Sequence, residues 1–251
     1  MMLALGLIGF MFVGLALGLL GGGGSILAVP VLVNVMAIPA GTAVPMALPV
    51  VGIAAAAGAI TRWRRGQLKI GTFALFATCA MAASYVAARL GVGITDRTRL
   101  LMFSGVMLLA AIAMWRRGSR TITPTAPMAR PGYQVIPVAL AVGTLTGILG
   151  VGGGFLIVPA LVGVLALPMP EATATSLAVI ALNAASASAG FLSKQVTIDF
   201  ALTAYVSLAA LAGMALGLRL APRYSAASLA RAFAVLLVLL AIFTIGKELV
   251  A

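Results

Sequence analysis

Two glycine runs carry the chemistry that this sequence is best placed to do. GLLGGGGSILAVP spans Gly18–Pro30, and GILGVGGGFLIVP spans Gly147–Pro159. A glycine inside a helix costs about 1 kcal/mol relative to alanine, so three or four in an otherwise apolar stretch predict a break. Beyond the break a new half-helix starts near Ser25 in one copy and Phe155 in the other. Its first backbone N–H groups have no acceptor within the helix, and with the positive end of the helix dipole they can hold an anion. The candidate binding residues are therefore Gly21, Gly23, Gly24 and Ser25 in the first run, and Gly150, Gly152, Gly153 and Gly154 in the second. The competing reading is that these glycines only let neighbouring helices pack closely, as small residues do in membrane bundles. Pro30 and Pro159 would sit inside the second half-helices and kink them.

A second group lies downstream. Thr175, Ser176, Asn183 and Ser186 fall within roughly a 100° sector of a helix. Hydroxyl and amide donors on one face suit an oxyanion, with Asn183 the foremost candidate. Each could instead bond neighbouring backbone within a bundle. Other chemistry is poorly supplied. With no histidine, one cysteine (Cys79) and four acids (Asp96, Glu171, Asp199, Glu248), the chain cannot build a Cys/His metal site, a His-based triad or a disulfide. No metal, cofactor or catalytic residue is expected, and an enzyme is the last of the readings.

The elements that must position these residues are membrane helices. Apolar residues make up 63% of the 251 and charged ones 8%, against roughly half and a quarter in a soluble domain. Apolar stretches run at 3–36, 42–61, 70–90, 100–115, 134–167, 172–192, 198–220 and 229–246. Several are near the roughly 20 residues that a spanning helix needs; the first and fifth are longer and glycine-interrupted. The expected fold is an all-α polytopic membrane protein.

A shift of 129 lays Gly14, Gly18, Gly21, Gly23, Gly24, Pro30 and Pro39 on Gly143, Gly147, Gly150, Gly152, Gly153, Pro159 and Pro168, with 14 of 26 positions identical from 14 to 39. A shift of 130 carries Arg89-Leu90 onto Arg219-Leu220. The chain thus reads as two homologous four-segment repeats, 1–115 and 134–251, each with a broken first segment. Between them lies a basic linker at 116–133, which holds Arg116, Arg117, Arg120 and Arg130 and fits a cytoplasmic connection. The polarity of the 175–186 set belongs to one repeat only, since its positional partners are Met46, Ala47, Ala54 and Ala57.

The net charge of +12 comes in short clusters between apolar segments rather than along one basic face, which points to membrane orientation and away from nucleic acid. If segments 1 and 5 cross the membrane, the repeats are parallel and the basic residues divide 10 against 6; if they enter and leave on one face, the repeats are inverted and the division is 11 against 5. Both arrangements put the 62–69 cluster and the linker on the same side. Duplication with a broken first helix is the pattern of secondary transporters, whose sites lie where discontinuous helices of two repeats meet.

The duplicated glycine run before V-P, the eight apolar segments in two halves and the basic linker resemble the sulfite exporter TauE/SafE family of bacterial membrane permeases, the four-segment toluene sulfonate uptake class. The resemblance covers essentially the whole chain. It implies export of a small sulfur-containing anion, such as sulfite or an organosulfonate, across the inner membrane by a multi-pass protein. The expected partners are that anion and membrane lipid, and a homo-oligomer is compatible. Two alternatives stay open: a permease of the same architecture for another small solute, and a non-transporting membrane scaffold.

Overall fold

The computed structural model describes residues 2–90, 96–118, 134–149, 154–192 and 199–250, and every regular element among them is helical. The chain forms two compact units, Met1–Lys69 with Thr173–Arg223 and Ile70–Ala172 with Tyr224–Ala251. Each unit draws on sequence from both sides of the 116–133 linker. Most of that linker, from 119 on, lies outside the described residues.

The first unit begins with α1 (Met2–Leu20), which stops at the glycine run. The chain then doubles back as α2 (Ser25–Pro30) and a π-helical turn at Val31–Val35. A Cβ on Gly24 would lie 2.7 Å from Leu17 Cγ, one on Gly9 2.8 Å from Val31 Cγ1, and one on Gly6 2.6 Å from Met36 Cγ. Rising numbers on the returning arm meet falling numbers on α1, so the two arms are antiparallel. The stretch 3–36 is a hairpin that starts and finishes at one end of the unit.

From Pro39, whose extended ψ of 138° turns the chain, α3 (Ala40–Arg64) runs back past α1. Arg62 Nη2 donates to Gly18 O at 2.9 Å, so α1 and α3 finish together. Two more helices complete the unit. α8 (Met169–Leu192) runs antiparallel to α3, because a Cβ on Gly52 would fall 2.9 Å from Ala184 and one on Gly58 3.0 Å from Leu177. α9 (Phe200–Leu220) starts at Asp199, whose side chain caps it by accepting from Leu202 N at 2.9 Å.

The seam between α1 and α9 is made of glycine. A Cβ on Gly14 would strike the Ala210 carbonyl, and one on Gly213 would strike that of Met11. One step on, a Cβ on Gly18 would lie 2.7 Å from Met214 O and one on Gly217 2.6 Å from Leu15 O. Both helices therefore present glycines four residues apart, and the pairs Met11/Gly213 and Leu15/Gly217 show that they are parallel. Because lipid tails are as apolar as leucine, such backbone-close packing holds membrane helices together where hydrophobic burial cannot. The 62–69 and 219–223 segments consequently leave the unit at the same end.

In the second unit, α4 (Ile70–Leu90) packs along α6 (Val135–Leu149), and α5 (Asp96–Gly118) along α10 (Ala226–Val250). α7 (Gly154–Pro159) continues into a π-helical turn at Ala160–Val164 that lies against α5. A Cβ on Gly143 of α6 would strike the Ala80 carbonyl of α4. These are the positions of Gly14 and Ala210 moved by one repeat length, with the halves exchanged.

The expected proline kink takes a specific form. Pro30 and Pro159 cannot donate to the preceding turn and their rings push its carbonyls outward, and each is followed directly by the π-helical turn. Met36 N bonds to Val31 O and Leu165 N to Ala160 O, both at 3.2 Å; Ile38 N bonds to Leu32 O and Leu167 N to Leu161 O, both at 3.0 Å. Each turn ends on a left-handed alanine, Ala37 (φ 55°) or Ala166 (φ 59°). Left-handed backbone costs a residue with a Cβ about 1–2 kcal/mol, and glycine escapes it. Ala37→Gly and Ala166→Gly should each raise the thermal unfolding midpoint of the detergent-solubilised protein, by the equivalent of about 1 kcal/mol. A lowered midpoint for both would show that the turns draw no strain from these alanines.

Four described helices are long and apolar enough to cross a membrane: Met2–Leu20, Thr42–Arg64, Ile70–Ala87 and Phe200–Arg223. Large apolar side chains such as Ile8, Phe12, Leu109, Leu208 and Ile242 point outward, as lipid requires. Trp63 and Trp115 are exposed near the C-terminal ends of α3 and α5, where interfacial aromatic rings belong.

Candidate functional site

The first glycine run builds a tight reversal. Gly21 takes φ +81°, which only glycine adopts at no cost, and its N–H still bonds back to Leu17 O at 2.8 Å. Ser25 Oγ donates to Gly22 O at 2.8 Å and closes the loop, while Leu27 N reaches Gly24 O at 3.1 Å. Gly24 precedes α2 without any side-chain cap, so the helix presents its first N–H groups as backbone donors. Gly21–Gly24 are all buried and Ser25 is half-buried.

Some of these glycines also do the packing work of the competing reading. A Cβ at Gly21 would lie 2.7 Å from Thr173 Cβ, and one at Gly24 would strike the Val13 carbonyl. Of the second run, Gly154 is buried as the first residue of α7, while Gly150, Gly152 and Gly153 lie outside the described residues.

The α8 set differs in exposure along the helix. Thr175 and Ser176 are buried, Asn183 is half-buried and Ser186 is exposed. The line of α8 that faces α3 runs through Leu177 and Ala184, and at 3.6 residues per turn Thr175 and Ser186 point to roughly the opposite side of the helix. It is Thr173, 1% exposed, that α8 brings against Gly21.

One side chain of the basic 62–69 cluster is inside. Arg62 is 5% exposed, while Arg64 and Arg65 beside it are exposed. Its Nη2 donates to Gly18 O and its Nη1 to Gln67 Oε1 at 3.1 Å. The Gly18 carbonyl belongs to the last turn of α1, so Arg62 satisfies an acceptor that the break would otherwise orphan, at the negative end of a helix dipole. Its Nε, also buried, meets no acceptor among the described residues. The signal was present in the sequence. Ala54, Ala55, Gly58 and Ala59 form the buried small-residue stripe of α3, and Arg62 continues it at helical spacing.

Long apolar helices around a glycine-broken hairpin define the class: this is an all-helical membrane protein. Residues 5–244 match the family described as Sulfite exporter TauE/SafE. Two proteins of Xylella fastidiosa, from strains 9a5c and Temecula1, are each 30% identical to the chain, over 249 and 243 residues; in both cases the match covers 94% of this chain and 92% of theirs. Both carry the description "Probable membrane transporter protein". No solved structure matches. The chain belongs to the TauE/SafE family and is a membrane transporter.

Proposed function

We propose that this protein is a secondary transporter that exports a small sulfur-containing anion, sulfite or an organosulfonate, across the bacterial inner membrane. The observation that carries this reading is the buried, side-chain-uncapped start of α2 at a glycine reversal, in a member of a family described as sulfite exporters. The binding groups are the backbone around Gly21, Gly23, Gly24 and Ser25, its counterpart around Gly150, Gly152, Gly153 and Gly154, and Thr175, Ser176, Asn183 and Ser186 of α8. An interior-negative potential contributes about 2.3 kcal/mol per charge per 100 mV in the outward direction, so a monovalent anion needs no coupled ion to leave. The direct test is uptake of ³⁵S-sulfite and labelled sulfonates into everted inner-membrane vesicles with and without the protein. Equal uptake in both would sink the substrate assignment.

The same reading takes 1–115 and 134–251 as inverted repeats, each of three crossings and one hairpin. It is supported by the matched π-helical turns after Pro30 and Pro159 and by the exchanged pairs Gly14/Ala210 and Gly143/Ala80.

Asn183 tests the side-chain part of the site. Losing a hydrogen bond to a charged partner costs about 1.5–3 kcal/mol, so Asn183→Ala should weaken binding roughly tenfold to a hundredfold. Asn183→Asp should be worse, because its carboxylate repels the anion. Parental affinity in Asn183→Asp, read by sulfite-dependent thermal stabilisation, would leave the backbone as the whole site.

A further inference from the structure

We propose that Arg62 is the anion-capturing group at the inner end of the glycine reversal, an oxyanion docking on its unshared Nε edge. The inference rests on the reading that the transported solute is an anion. A buried guanidinium is ordinarily held by a carboxylate, since an uncompensated charge away from water is strongly unfavourable. Arg62 bonds none. Residues 1–69 contain no Asp or Glu, α8 and α9 bring one acid each, Glu171 and Asp199, and the partners of Arg62 are Gly18 O and Gln67 Oε1 instead. Asp199 caps the start of α9, whereas Gly18, to which Arg62 donates, packs on Gly217 near the other end of that helix. Roughly 18 residues of helix at about 1.5 Å each separate the two.

What Arg62 does have is two neutral acceptors, Gly18 O and Gln67 Oε1, and a buried Nε that meets none. A planar guanidinium with one unshared N–H matches the oxygens of a sulfite, sulfate or sulfonate group. Its surroundings favour the same ligand. Arg62, Arg64, Arg65, Lys69, Arg219 and Arg223 all leave the unit at this end, against one acid, Glu171, in the first turn of α8, so the approach is net positive and raises the local anion concentration. The position one repeat later, Phe191, is apolar, so the capture group belongs to one half only.

The test is thermal unfolding of the purified full-length protein, titrated with sodium sulfite, sodium sulfate and sodium methanesulfonate at an ionic strength balanced with sodium chloride. At least one oxyanion should stabilise the parent. Arg62→Gln, checked for helical content and monodispersity, should bind that anion about tenfold more weakly or worse. Arg62→Lys keeps the charge but has no counterpart to Nε, and should fall between. Parental affinity in Arg62→Gln, or an oxyanion panel that leaves the parent unchanged, overturns the proposal. Should Arg62→Gln fail to fold, Arg62→Lys decides, parental affinity there being the overturning result. Sulfite flux in proteoliposomes separates this site from the transport reading. Flux through Arg62→Gln at the parental KM removes Arg62 and leaves the exporter standing, whereas absence of sulfite and sulfonate flux in the parent removes the exporter.

Discussion

Gly213→Leu is expected to leave no monodisperse protein after detergent extraction. A Cβ at Gly213 would strike the Met11 carbonyl, and the next glycine has little more room: Gly18 Cα would lie 2.9 Å from a Cβ on Gly217. The obstacle is backbone on a helix that is itself locked by Gly14 against Ala210, so neither side can yield by changing a rotamer. Overpacking a core commonly costs about 1–3 kcal/mol when side chains can shift. Here the two helices must separate along the seam, and lipid supplies no hydrophobic drive to keep them together. Gly143→Leu, against the Ala80 carbonyl in the other unit, should fail in the same way. Gly71 and Gly105 are the controls, because a Cβ at either meets nothing within 4 Å. Gly105→Ala should be neutral or stabilising, since alanine is the better helix former by about 1 kcal/mol. Size-exclusion profiles and melting midpoints of these three variants and of Gly71→Ala read the result. A monodisperse Gly213→Leu with the parental midpoint would mean that α1 and α9 do not touch through their backbones.

Much of this was legible from composition and spacing, and the parts that were not share a cause. Helical, membrane-spanning character averages over about 20 residues, so no single side chain could mislead it. The break after α1 was equally plain, since glycine and proline act through their own backbone. Pro30 and Pro159 disturb their helices wherever they are placed, although a π-helical turn rather than a simple kink is the form the disturbance takes.

Sequence spacing could not say which way the chain goes after a break. Whether 3–36 crosses or doubles back depends on α1 offering Gly6 and Gly9 as a groove for Val31 and Met36, a pairing between residues some 20 to 30 positions apart. The same limit governs the α8 set. Helical periodicity puts Thr175, Ser176, Asn183 and Ser186 on one sector, but the neighbour at Gly21 is decided by how α8 docks, and that brings Thr173. Arg62 was hidden by its company. Three exposed cations follow it within seven residues, and the run reads as solvated unless the buried stripe of α3 is followed to its last turn.

The direction of that hairpin governs the second large effect, which is all-or-none. In the first unit, Arg62 reaches Gly18, and Gly18 packs on Gly217, so the 62–69 segment and the 219–223 segment share an end. Parallel repeats would put those segments on opposite faces of the membrane. On the proposed inverted arrangement, 62–69, 116–130 and 219–231 fall on one face, with 11 of the 16 basic residues, and 5 fall on the other. The positive-inside rule makes the richer face cytoplasmic. In a Cys79→Ala background, cysteines at Gly66, Thr125 and Ser225 should therefore resist an impermeant thiol reagent in intact cells and react once the membrane is opened. Cysteines at Ala40 and appended after Ala251 should react from outside at once. Ser225 and the C-terminus are the deciding pair, because parallel repeats exchange exactly these two and leave the other three unchanged. Labelling of Ser225→Cys in intact cells, with a protected C-terminus, would mean that the hairpins cross the membrane and that the two repeats run the same way.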